Sequence, residues 1–260
     1  MKPTVRRQAV DYLHYLKEQG ITHVPSSGKL PAKPPRVKAA SRAAPAKSPA
    51  QAPALKPEKE ADVLPKPALS IPAALQPLAD EIAACQLCPL AATRTYTVPG
   101  QGALQPDIMF VGEGPGADED AQGIAFIGRS GKLLTKMISA MGYTRDEIFI
   151  GNIVKCRPPD NRIPTREEMA GCISYLKRQI AIIRPKFIVC LGATAARGLV
   201  EETLPIGKAR GQWREFEGIP VMLTFHPAYL LRDPSKKALC WADLKAVLAR
   251  LGKEPPKAAG

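Results

Sequence analysis

Thr165-Arg-Glu-Glu-Met-Ala-Gly-Cys-Ile-Ser-Tyr-Leu-Lys-Arg-Gln-Ile-Ala-Ile-Ile-Arg-Pro-Lys-Phe-Ile-Val-Cys-Leu191 reads as a helix followed by a strand. Thr165 and Glu168 form a capping-box pattern, in which each side chain satisfies a backbone N–H that the first helical turn leaves without a partner. The pattern predicts a helix to about Ile183, with Pro185 just past its end. The run Lys186–Leu191 is short and mostly apolar, as expected of a strand buried on both faces.

Three more runs of this kind are Asp107–Val111, Ile148–Val154 and Pro220–Thr224. Helical patterns lie between and after them. Ser130 is a candidate cap for Gly131–Met141, with Gly142 as the stop, and Ala193–Val200 and Lys236–Leu251 supply two others. Helices alternating with buried strands predict a three-layer α/β/α sandwich around a central four-stranded, mainly parallel sheet. Ligands of such sheets bind beyond the carboxyl ends of the strands, which directs attention to the segments after Val111, Ile150 and Thr224.

The chain has 260 residues, a net charge of +13 and 45% hydrophobic residues, enough for a real core. The positive balance favours a polyanionic partner. No apolar run reaches the roughly 18 residues of a membrane span, and no apolar segment follows the charged N-terminus as in a secretory signal. The expected setting is cytoplasmic, where six cysteines stay reduced and clustered ones serve as metal ligands or catalysts. Residues 1–20 read as a short amphipathic helix. Residues 21–73 are rich in Pro, Ala and Lys and read as a disordered linker, either a passive tether or a non-specific DNA contact. The folded domain is expected over 74–252, with a disordered tail over 253–260.

Several strings carry chemistry. Gly112-Glu-Gly-Pro-Gly116 has the wrong glycine spacing for a dinucleotide turn. Gly128-Arg-Ser-Gly-Lys132 lacks the hydroxyl residue and the upstream glycine of a phosphate loop. Cys85-Gln-Leu-Cys88 precedes the first strand, unlike a thioredoxin-type pair, and with Cys156 and Cys172 it makes a four-thiolate set suited to zinc or to an iron–sulfur cluster. Cys190 and Cys240 lie in apolar segments and read as small buried hydrophobes. His226 lies just past a strand end, as a structural residue or a functional one. Asn152 ends a strand, where asparagine is disfavoured, and either braces a loop or reads an amide-like edge. Phe126, in a glycine-bounded loop, is a hydrophobic plug or a stacking platform.

Taken together, Gly112–Gly116, Phe126, Asn152-Ile-Val-Lys-Cys-Arg-Pro-Pro159, His226-Pro-Ala and the four cysteines resemble the family 4 uracil-DNA glycosylases, the iron–sulfur branch of that superfamily, from about Cys85 to Leu251. The resemblance implies excision of a flipped-out uracil from single- or double-stranded DNA by a monomer that makes no membrane contact, in the nucleoid-bearing cytoplasm of a prokaryote. It implies a [4Fe–4S] cluster on Cys85, Cys88, Cys156 and Cys172, structural in role. Phe126 would stack on the base and Asn152 would pair with its O4 and N3–H edge, within a pocket that includes Gly112, Pro115, Gly116 and Glu119. His226 would stabilise charge on O2. The loop with Glu113 and Gly114 would position the attacking water, with Glu113 a base or a brace and Glu119 a second candidate. Lys208, Arg210, Tyr229, Leu230 and Arg232 would grip the DNA, and Leu230 or Leu231 would fill the vacated stack. The rival readings are a non-catalytic DNA-binding or polymerase-associated module and an iron–sulfur electron carrier.

Overall fold

The computed structural model describes residues 71–203 and 205–256. The expected N-terminal helix and most of the linker lie outside the described residues. A six-stranded mixed sheet forms the centre, in the order β1-β3-β2-β4-β6-β5. The strands are β1 (Gln101–Gly102), β2 (Ile108–Gly112), β3 (Phe149–Asn152), β4 (Phe187–Leu191), β5 (Trp213–Phe216) and β6 (Ile219–Thr224). β3, β2, β4 and β6 are mutually parallel and are the four apolar runs of the sequence.

The four-stranded expectation is therefore corrected to six, by an antiparallel strand at each edge. β1 has only two residues, too few to show a period. β5 pairs with β6 across Glu217 and Gly218, both at positive φ (50° and 81°), which matches the twist of a tight hairpin. Its centre, Arg214-Glu215, is charged, as suits an edge strand.

Eight α-helices flank the sheet among the described residues: α1 (Gln76–Ala84), α2 (Ala117–Gln122), α3 (Arg129–Ala140), α4 (Arg166–Ile183), α5 (Ala193–Val200), α6 (Ile206–Ala209), α7 (Pro227–Arg232) and α8 (Lys237–Arg250). Because successive strand residues face opposite ways, the sheet feeds two cores. Met109, Val111, Ile188, Cys190, Val221 and Leu223 pack with α1, α4 and α5. Ile108, Phe110, Val189 and Met222 pack with α3 and α8. Three layers follow.

The Thr165–Glu168 capping box forms as expected. α3, however, starts at Arg129 with Gly128 as its cap, and Ser130 is not used. Lys253, where the tail was expected to begin, donates to Asp107 at 2.8 Å. Among the described residues no helix is long and apolar enough to cross a membrane.

Candidate active site

The parallel strands end at one edge of the sheet, and the segments that follow them line a cavity of about 610 Å³. β2 ends at Gly112, the register partner of Asn152 at the end of β3. Asn152 is 1% exposed and its Oδ1 has no hydrogen-bond partner. An unpaired buried acceptor costs about 1–3 kcal/mol, so this atom is suited to a donor carried by a ligand. A Cβ at position 112 would fall 2.5 Å from both Asn152 Oδ1 and the Phe126 ring, so glycine is required there.

Phe126 is buried in the cavity wall at φ 53°, a left-handed conformation that strains an aromatic residue by about 1–3 kcal/mol. Two clamps hold it. Arg145 donates to the carbonyls of Phe126 (3.0 Å) and Ala125 (2.6 Å). Glu119 accepts the N–H groups of Ile127 and Gly128, both at 2.9 Å, and that of Gly116 at 3.0 Å. Glu119 is thus a brace for the loop, with both carboxylate oxygens occupied. Gly131 lets α3 pass beside Phe126, whose carbonyl would be 1.9 Å from a Cβ there. The string that resembles a phosphate loop serves this packing.

β6 leads into His226, the N-cap of α7. Its Nδ1 accepts from the Ala228 N–H at 3.1 Å, which leaves the ring proton on Nε2. Burial, helped by the nearby Arg232 charge, lowers its pKa from 6.5 to about 4. The neutral ring is 5.6 Å from that of Phe126, tilted by 36°. Glu113 follows β2, with Gly114, Pro115 and Gly116 beside it in the cavity wall. Burial raises its carboxyl above the usual range, against the lowering effects of a Thr194 hydrogen bond and of Arg232 and Arg197. The Thr194 hydroxyl donates to Glu113 Oε2 at 2.5 Å.

The expected DNA-gripping residues divide. Tyr229 and Arg232 line the cavity mouth, together with Leu231, which is 44% exposed. Lys208 is exposed but outside the cavity lining. Leu230 is 1% exposed within the core and cannot enter a base stack. Arg210 is committed to a bidentate ion pair with the buried Asp243, which also accepts from Thr224 at 2.7 Å. That pairing, with a further donation to the Leu239 carbonyl at 2.7 Å, engages the guanidinium that was expected to grip the DNA. Sequence reading overlooked Thr194, Arg129 and Arg162, which also line the cavity, and Arg145 behind Phe126. Thr194 alone carried a signal, because it follows a fourth parallel strand end.

Cys85, Cys88, Cys156 and Cys172 line one small pocket with Ile82, Leu87 and Tyr175, away from the cavity. Arg94 donates to Cys156 Sγ at 3.3 Å and to the Cys85 carbonyl at 2.8 Å, and the Lys155 N–H donates to Cys172 Sγ at 3.3 Å. Donors aimed at sulfur suit thiolates. Burial pushes the Cys172 thiol up to about 11, a cost that a bound cationic centre reverses. Among the described residues no group of His, Cys, Asp or Glu could hold a single metal ion as arranged. Four cysteines lining one pocket, with N–H donors on two of the sulfurs, match the four-thiolate donor set that an iron–sulfur cluster takes.

Comparison with known proteins shows the family. The family model described as Uracil DNA glycosylase superfamily matches residues 99–245. A Type-4 uracil-DNA glycosylase of Archaeoglobus fulgidus is 40% identical over 190 residues, 70% of this chain and 96% of that protein. One from Thermotoga maritima is 46% identical over 162 residues, 62% of this chain and 84% of the relative. One from Sulfurisphaera tokodaii is 43% identical over 182 residues, 66% and 83% respectively. The chain belongs to the uracil DNA glycosylase superfamily, within its type-4 branch.

Proposed function

We propose that this protein is a uracil-DNA glycosylase that hydrolyses the N-glycosidic bond of a flipped-out deoxyuridine, leaving free uracil and an abasic site. One observation carries the reading: the unpaired Asn152 Oδ1 shares a cavity with the Phe126 face, the neutral His226 and the Glu113 carboxylate. Asn152 Oδ1 accepts the uracil N3–H and its amide nitrogen donates to O4. Cytosine presents a donor in place of O4 and an acceptor at N3, so both contacts fail, at about 1–3 kcal/mol for each buried mismatch.

Cleavage transfers the electron pair of the N1–C1′ bond to the base. His226 Nε2–H stabilises the charge that develops on O2, and a neutral donor does so without protonating it. Glu113, in the cavity wall just past the end of β2, takes the proton of the water that attacks C1′. Leu231, Tyr229 and Arg232 at the rim hold the distorted strand. Cys85, Cys88, Cys156 and Cys172 would hold a [4Fe–4S] cluster, which when bound supplies a covalent cross-link among their segments. The reading extends to a monomer that acts on DNA in the nucleoid-bearing cytoplasm.

The test is incubation of the purified protein with a uracil-containing oligonucleotide, followed by hot alkali and a denaturing gel. Breaks at uracil, and none in a cytosine control, are expected. Strands bound but uncut would mark a non-catalytic module and overturn the reading.

A further inference from the structure

β4 ends at Leu191, and the turn after it enters the cavity between the two groups assigned to chemistry. On one side Gly192 packs against His226, whose Cβ would be 3.0 Å from a Cβ at 192. On the other, Thr194 is 5% exposed and donates its hydroxyl hydrogen to Glu113 Oε2 at 2.5 Å. A hydroxyl near a helix start ordinarily bonds to backbone nearby in sequence. This one reaches a carboxylate 81 residues away.

We propose that Thr194 is a positioning residue for Glu113. By occupying Oε2 it fixes the rotation of the carboxylate and leaves Oε1 as the acceptor for the water proton. The proposal rests on the reading of Glu113 as the water-activating base. A hydroxyl that donates to the ionised carboxylate also favours that form, so it opposes the effect of burial on Glu113. The charges that act on Glu113 are Arg232 from α7 and Arg197 from α5. Sharing the cavity with it are the neutral His226, Tyr229, Asp118, Arg129, Arg162 and Glu119, whose oxygens are taken by backbone N–H groups.

The experiment is the pH dependence of the single-turnover rate on a uracil-containing single strand, for wild type, Thr194→Val, Thr194→Ser and Glu113→Gln. Thr194→Val should move the acid limb to higher pH and slow cleavage at neutral pH on the order of tenfold. Thr194→Ser should restore both, and Glu113→Gln should abolish the limb with most of the rate. If Thr194→Val lowers the rate at every pH and leaves the limb in place, Thr194 is a packing residue and the proposal fails while Glu113 remains the base. If Glu113→Gln keeps the wild-type rate and limb, the base reading fails and takes the proposal with it. Thr194→Ala removes the same hydroxyl and replaces the valine variant should that variant not melt cooperatively.

Discussion

Gly112 and Asn152 end neighbouring parallel strands as register partners, and the absence of a side chain on the first makes room for the amide oxygen of the second. A Gly112→Ala enzyme must push Asn152 or the Phe126 ring aside. Overpacking of this kind costs about 1–3 kcal/mol, and here it falls on the base-reading edge. Single-turnover cleavage of uracil strands should drop roughly 10- to 100-fold, with the thermal midpoint lowered by about 2–10 °C. A wild-type rate would show that the base does not approach this edge.

Glu119 and Glu113 sit six residues apart and do opposite work. Glu119→Ala strips three backbone N–H groups of their acceptor and releases the strained Phe126 loop. Urea unfolding should show a loss of about 2–3 kcal/mol. Glu113→Ala removes a carboxylate whose charged form is disfavoured by burial. Its stability should match or exceed wild type while its cleavage rate collapses, the usual exchange at a catalytic position.

His226→Ala should slow cleavage by about 10²–10³, the loss typical of one oxyanion donor. An NMR titration should find the His226 ring neutral down to a pH of about 4. The unfolded chain takes up this proton near 6.5 and the folded chain only near 4. Between those values the unfolded state binds more protons, so the His226 contribution destabilises the fold as pH falls through the window. Above it both states are neutral and the residue adds no pH dependence. A calorimetric pH series on wild type and His226→Ala isolates the effect.

Adjacent leucines should separate folding from DNA distortion. Leu230→Ala opens a cavity in the core and should cost about 2–5 kcal/mol. Leu231→Ala alters an exposed side chain at the cavity mouth and should leave the melting temperature unchanged. If Leu231 fills the vacated stack, its loss should reduce cleavage of double-stranded substrate several-fold more than that of single strands, since only the duplex must be held open.

Replacing Cys88 or Cys156 with Ala should abolish the broad absorbance near 400 nm of an iron–sulfur cluster, and chelation of iron should do the same. Because α1, the Cys85–Cys88 segment and α4 converge on that pocket, both treatments should lower the thermal midpoint. A colourless protein of unchanged stability would remove the cluster from this chain.

Much of this molecule was readable along the chain. Four buried strands announced themselves as apolar runs, and Thr165 and Glu168 marked the start of α4, because periodicity and capping act over a few neighbouring residues. Asn152 and His226 stood out because a polar residue at the end of a buried strand needs a reason to be there, though the residues alone left bracing and ligand contact both open. The edge strands were not legible, since β1 is too short for a period and β5 carries charge at its centre.

The partners of the polar side chains are visible only in the fold. Glu113 and Glu119 were first and second candidates in sequence and both line the cavity, yet Glu119 meets three backbone donors and Glu113 the Thr194 hydroxyl. Arg210 became half of an ion pair, Leu230 turned inward while Leu231 stayed out, and Thr194 reached Glu113 from another strand end. Hydrophobic pattern is local and determines which segments become strands and helices. A hydrogen bond or an ion pair depends on which distant segment the folded sheet brings to the same edge, and that is decided by tertiary structure.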